Sequence, residues 1–296
     1  MPPLAMILLL ASAALHAAWN VRGKGRRSGV ANFAAAEILV AILLIPLWPW
    51  AIRHLLQAPT TALILIVLSS ACQGLYYLGL SRAYAAGDLG VAYPLIRTLP
   101  VVILAGVTLV VGTTPLSPMT ICGIALTTVG AGLLSLRRRS DAKAPGQAMA
   151  VAMTVCLVVG YTSLDAQSLP AIRHATDLGP LATALAVIPF MALGNGLFAL
   201  GAAVTVPVER RQLRALRDRR ILGEAALMGA AIWGSYGLAL AAMSLDVPAS
   251  MVASLRLVSV PLGFLLAVVR FGEPLTLPRI SGTVGVVIGV LLVMWR

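Results

Sequence analysis

Four ionisable residues interrupt otherwise apolar stretches of this chain. Glu37 lies in AAAEILVAI, Arg97 between Pro94 and Pro100, Asp165 in YTSLD, and Arg256 in ASLRLVSVP just before Pro261. A charge set in an apolar helix costs about 2.5–3.5 kcal/mol on insertion scales, so each of the four needs a compensating role. Arg97 and Arg256 suit an anionic group such as a carboxylate, which a guanidinium holds through two parallel hydrogen bonds; snorkelling or a purely structural ion pair is the alternative. Glu37 and Asp165 suit proton exchange, because a carboxylate in dry surroundings takes up or releases a proton as its exposure changes. Asp165 stands close before Pro170, so a capping or interfacial role competes.

Aromatic residues accompany these charges. Trp19, Tyr76, Tyr77, Tyr93, Tyr161, Trp233 and Tyr236 offer ring faces, each with one polar tip, to a small amphiphilic solute. Trp48, Trp50 and Trp295 stand where interfacial belts are expected. His16 has Trp19 and Asn20 on the adjoining turn and reads first as a packing histidine. Pro94, Pro100 and Pro261 remove backbone donors beside the two arginines and mark expected hinges, with ordinary packing kinks as the alternative.

Other chemistries find no footing. There is no HExxH and no GxSxG, and His16, His54 and His174 are scattered, so neither catalytic residues nor a metal site is expected. Gly282, Gly285 and Gly289 follow no strand and precede no lysine, which reads as close helix packing rather than phosphate binding, and no cofactor is implied. Cys72, Cys122 and Cys156 lie in apolar runs without pairing and are expected to be small buried hydrophobes.

The elements that must position these residues follow from composition. Of 296 residues, 59% are hydrophobic and 11% charged, with mean hydropathy +0.95; soluble domains carry about 25% charge. Apolar runs fall at 3 to 21, 30 to 50, 62 to 83, 89 to 111, 117 to 136, 147 to 168, 180 to 204, 221 to 243, 248 to 270 and 276 to 295. Each is long enough for a membrane helix, and none alternates as a membrane strand does. The first run resembles a signal peptide but lacks a basic start, so it is read as helix one. The expected fold is an all-α polytopic membrane protein of ten transmembrane helices.

The net charge of +12 is distributed as helix flanks rather than as a nucleic-acid surface: RGKGRR at 22 to 27, RRR at 137 to 139 and ERRQLRALRDRR at 209 to 220. The expected partners are therefore the lipid bilayer and a small-molecule substrate, not nucleic acid, and a monomer is compatible with the sequence.

The two halves of the chain correspond. A shift of 159 pairs Tyr77 with Tyr236, Arg97 with Arg256, Pro115 with Pro274, Gly123 with Gly282, Gly130 with Gly289 and Arg137 with Arg296. A shift of 145 lays His16 and Asn20 on Tyr161 and Asp165. Residues 1 to 140 and 141 to 296 thus read as two five-helix repeats. An odd number of helices per repeat inverts the second, the arrangement that lets a midplane site open to either side in turn.

At this level the chain resembles the EamA branch of the drug/metabolite transporter superfamily. The resemblance rests on ALHAAWN at 14 to 20, LYYLGLSRAYAAGDLGVAYPLIRTLP at 75 to 100, YTSLD at 161 to 165 and RFGEPLTLPRISGTVGVVIGVLL at 270 to 292. It implies a bacterial inner-membrane carrier that exports small metabolites such as amino acids by alternating access; a multidrug or phosphonate-related carrier is the alternative, and an intramembrane enzyme the alternative of another class. One departure is Thr114, which stands where the second repeat has Glu273, so the acidic helix start occurs once.

Loops after odd-numbered helices carry 17 Lys and Arg, and those after even-numbered helices carry only Arg53 and Arg173. The odd loops are therefore expected in the cytoplasm and both termini outside, whereas the resemblance implies cytoplasmic termini. Reporter fusions decide between them: a periplasmic reporter should be active at residue 296 and a cytoplasmic reporter in the 209 to 220 loop, and the opposite pattern reverses the orientation.

Overall fold

The computed structural model describes residues 1–23, 29–85, 89–111, 116–134, 146–271 and 275–294, and among these it holds helices and no strands. The helices are α1 (Pro3–Gly23), α2 (Val30–Leu43), α3 (Trp48–Leu55), α4 (Thr60–Ala85), α5 (Leu89–Val111), α6 (Pro118–Leu134), α7 (Gln147–Thr176), α8 (Pro180–Thr205), α9 (Pro207–Ala215), α10 (Arg219–Met243), α11 (Ala249–Arg256), α12 (Ser259–Phe271) and α13 (Leu277–Met294). Helices suit these sequences because each satisfies its own backbone donors and acceptors, which no water replaces in a lipid core.

Among the described residues six segments are long and apolar enough to cross a membrane: Thr60–Ala83 in α4, then α7, α8, α10, the stretch Ala249–Leu266 through α11 and α12, and α13. Helices α2 and α3 are together long and apolar enough as well, but the pair is bent by 50°. Shorter apolar helices occupy Pro3–Ala18, Leu95–Val110 and Pro118–Leu133. Apolar side chains face outward as well as inward, Val110 and Val269 being 87% and 86% exposed, while Glu37, Asp165, Asn195 and Thr154 have no exposure at all.

Three boundaries differ from the sequence expectation. The run at 30 to 50 breaks at Leu44, where Pro46 and Pro49 withdraw backbone donors and a 3-10 turn, Ile45–Leu47, leads into amphipathic α3. The run at 248 to 270 breaks between Arg256 and Ser259, and Pro261 sits in the first turn of α12, where a missing N–H costs least. Helix α7 continues through Pro170 to Thr176, so Asp165 lies well inside it and is not a cap. The cysteines also depart from expectation, since Cys122 and Cys156 are exposed and only Cys72 is half-buried. On an apolar outer face a small thiol needs no burial.

Small residues let the helices close on one another. A Cβ at Gly123 of α6 would fall 2.6 Å from the Gly289 carbonyl of α13, and one at Gly130 would fall 2.7 Å from the Gly282 carbonyl. Gly282 and Gly289 thus serve close packing, as their spacing suggests. Helix α1 docks on α10 through reciprocal bonds, Ser12 Oγ to the Ser235 carbonyl at 2.7 Å and Ser235 Oγ to the Ser12 carbonyl at 2.9 Å. Helix α4 runs against α7, α2 against α8, and α5 against α11.

The two ends of the bundle differ in chemistry. At one end Glu209 of α9 accepts from the Ala31 N–H (3.5 Å) and from Ser81 Oγ (3.1 Å), while Gln147 donates to the Ala83 carbonyl (3.4 Å). The starts of α2 and α7, the end of α4 and the arginine-rich α9 therefore share that end. At the other, Arg173 donates to the Ser244 carbonyl (3.2 Å) and His174 meets Asp246 at 3.3 Å.

Substituting Gly289 with Leu should lower thermal stability in detergent by about 1–3 kcal/mol, the usual cost of overpacking. Gly106→Ala, where a Cβ meets nothing within 4 Å, should leave the melting temperature unchanged. Equal melting of both variants and the parent would remove the α6–α13 contact from the account of stability.

Candidate functional site

Two polar assemblies lie inside the bundle. The first is built on Glu37, whose helix α2 is crossed closely by α8 and α10. A Cβ at Gly196 would fall 3.2 Å from the Glu37 Cβ, and one at Gly229 only 2.5 Å from the Ala36 carbonyl oxygen. These two glycines let the neighbouring helices bring donors to the carboxylate. Tyr77 Oη donates to Glu37 Oε1, and Trp233 Nε1 donates to Oε2 at 2.7 Å. The Asn195 amide sits 3.4 Å from Oε2 and 3.1 Å from Gln73 Oε1. Phe33, one turn before Glu37, stacks on Tyr77 with ring centroids 4.5 Å apart and fixes the phenol's direction.

The second is built on Asp165. Tyr236 Oη donates to Asp165 Oδ2. The other oxygen, Oδ1, is buried, with the buried Ser69 Oγ of α4 as its polar neighbour. A carboxyl group changes from acceptor to donor when it gains a proton, so a protonation change here is felt directly by α4 and α10.

Between the helices lies a small, partly open cavity of about 50 Å³ lined by His16, Tyr76, Arg97, Pro100, Tyr161, Thr162 and Arg256, with aliphatic residues completing it. A water occupies about 30 Å³ in the liquid and solute pockets run to about 300 Å³ or more, so this conformation holds solvent rather than a metabolite. The cavity is framed by α1, α4, α5, α7 and α11. Arg256 lies over the Tyr236 ring at 5.1 Å, a cation–π contact. Tyr236 thereby touches both the Arg256 guanidinium and the Asp165 carboxylate. Its ring also meets Tyr161 edge-on at 5.9 Å and Trp233 at 6.1 Å.

Of the residues singled out from sequence, the fold brings Arg97, Arg256, Tyr161 and Pro100 to one cavity, and His16 joins them. Tyr77, Trp233 and Tyr236 are buried behind that surface, where their polar tips serve the two carboxylates. The side chains of Trp19, Tyr93 and Pro94 lie outside the described residues, as do Thr114, Glu273, Trp295, the basic stretch at 24 to 28 and the RRR cluster. Helix α5 runs unbroken through Pro94 and Pro100, whereas the helix is interrupted at Leu257 and Val258, directly after Arg256. Gln73 and Asn195 were not foreseen. Asn195 stands one residue off the repeat shift from Glu37, a signal visible only once the carboxylate's neighbours are known.

Replacing Glu37 with Leu should destabilise the protein strongly, because the Tyr77 and Trp233 donors would be buried unsatisfied at about 1–3 kcal/mol each. Glu37→Gln keeps an acceptor and should cost less, by thermal melting of the purified protein. A Leu variant as stable as the Gln variant would show that this hydrogen bonding contributes nothing net.

Neither a protein-family model nor a curated protein matches the chain. Among solved structures, one described as "Crystal structure of protein" is similar to it, with a TM-score of 0.68 and 11% identity over 98% of each chain. That likeness shows a shared fold for the chain as a whole.

Proposed function

We propose that this protein is an EamA-type carrier that moves a small metabolite across a bacterial inner membrane by alternating access. In this reading the bent α2–α3 pair and the shorter apolar helices α1, α5 and α6 also cross, making ten spans in two inverted repeats, 1 to 140 and 141 to 296. The pairing of helices supports it. Under the repeat, α1 against α10 corresponds to α7 against α4, while α2–α8, α5–α11 and α6–α13 each correspond to themselves. The contacts Gly123–Gly289 and Gly130–Gly282 exchange under the shift of 159, as expected of a two-fold relation.

The observation that carries the proposal is that Arg97 and Arg256, one from each half, line the same cavity. Cations at a midplane cavity between repeats are what an alternating-access site for an anionic group requires. The break between α11 and α12 directly after Arg256 supplies a hinge that lets the site open. Export of amino acids is the substrate expectation that the family resemblance adds.

Proton coupling fits Asp165 better than Glu37. Neither carboxylate lines the cavity, and Glu37 is held through both oxygens, by Tyr77 and Trp233. Asp165 communicates through Tyr236 with Arg256, which does line it. Protonation there can thus alter how Tyr236 holds the guanidinium.

In proteoliposomes Asp165→Asn should abolish accumulation driven by an imposed pH difference while preserving exchange of substrate for substrate. Glu37→Gln is the matched control and should retain both. Accumulation that survives in the Asn variant removes Asp165 from coupling, and a parent protein indifferent to the pH difference is a uniporter.

A further inference from the structure

Helix α9 has two faces of different chemistry. Toward the bundle it and its C-cap turn Glu209, Gln212, Leu213 and Leu216, the spacing of one helix face. Glu209 is buried, both leucines pack on the core, and a Cβ at Gly29 would meet the Gln212 side chain. The opposite face presents Val208, Arg210, Arg211 and Arg214, and Arg217, Arg219 and Arg220 follow in the turn into α10, all exposed.

Internal pairing does not neutralise this end of the bundle. Arg220 meets Glu224 at 3.8 Å and Arg210 Nε donates to the Val204 carbonyl at 2.8 Å. The segments that join elements here, 22–27, 82–88, 137–143 and 209–224, hold 15 Lys and Arg against 5 Asp and Glu. A cationic excess survives even if every one of those carboxylates is paired.

Tethering decides what faces the arginines. Helices α8 and α10 are each long and apolar enough to cross a membrane, and α9 is joined to the first by Val206 alone and to the second by residues 216–218. Three residues span at most about 11 Å, and the headgroup layer on each side of the hydrocarbon is about 5–8 Å thick. The arginines are therefore held at the depth of lipid phosphates, whose geometry the guanidinium fork matches. Val204 and Val208, 46% and 69% exposed, carry the apolar surface of α8 up to the first arginines. Acyl chain and phosphate thus both find a place, whereas a nucleic acid or acidic peptide would use the charge and leave the valines bare.

We propose that the outward face of α9 and the turn into α10 dock anionic phospholipid headgroups, and that the docked lipid holds α9 as a clamp on α2 and α4. The clamp is Glu209, which accepts from the Ala31 N–H in the first turn of the helix bearing Glu37, and from Ser81 Oγ one turn beyond Tyr77. This rests on α8 and α10 spanning a bilayer and is independent of the solute carried.

The test places the full chain in nanodiscs of phosphatidylcholine, alone or mixed with phosphatidylglycerol. Phosphatidylglycerol should raise the melting temperature and slow hydrogen exchange of the Ala31 amide, and added salt should shrink both effects. Arg211→Gln and Arg214→Gln should each lower phosphatidylglycerol retention, read by native mass spectrometry, about fivefold at low salt. Arg53→Gln, on α3 at the other end, should leave it unchanged. Glu209→Ala should retain the lipid and lose the protection of Ala31. Equal melting in both bilayers, or retention insensitive to both Gln variants at α9, overturns the docking surface. The same stabilisation from inorganic phosphate or an oligonucleotide in phosphatidylcholine alone overturns lipid as the occupant. Retention without protection of Ala31 in the parent overturns the clamp. A chain that stays folded and monodisperse in buffer without detergent or lipid sinks the membrane reading and the proposal with it.

Discussion

A carboxylate shut away from water persists only if neighbouring helices carry donors to it, and the Glu37 assembly shows how much structure that requires. Tyr77 comes from α4 and Trp233 from α10, each donating to the carboxylate on α2, and the Asn195 amide of α8 packs beside them. Losing any one leaves an unpaired group where desolvation is not recovered. The four helices are consequently locked in register at one level of the bundle. Gly196 and Gly229 belong to the same requirement, because without close helix approach the donors fall short of the carboxylate.

The polar interior is layered rather than pooled. Glu37 and Asp165 each take a phenolic hydrogen bond from one member of the pair Tyr77 and Tyr236, and Tyr76, Tyr161 and Trp233 connect the two by ring contacts. The arginines lie on the cavity side of this aromatic layer. Anion recognition and carboxylate chemistry are thus separated in space and joined through Tyr236, which touches one group from each side.

Much of this was legible in the residue order. Charges at Glu37, Arg97, Asp165 and Arg256 stand out against apolar surroundings because an intramembrane charge is expensive wherever it falls. The glycines at 282, 285 and 289 announce close packing by spacing alone. The α2–α3 bend and the α11–α12 break are less legible. Pro46, Pro49 and Pro261 mark the neighbourhoods, yet Pro94, Pro100 and Pro170 lie within continuous helices. A proline permits a break, and the packing around it decides whether one forms.

By itself, then, the order of residues determined what depends on local free energies: helical segments too apolar for water, the residues that break them, and the charges whose burial demands a reason. Only the tertiary structure decided which of those charges meet. It put Arg97 and Arg256 on one cavity, moved Tyr77, Trp233 and Tyr236 behind it onto the carboxylates, brought in His16, and enlisted Gln73 and Asn195. Partnership is settled by the crossing geometry of helices distant in sequence, and hydrogen bonds that reach only about 3 Å are made or missed by shifts the residue order does not encode.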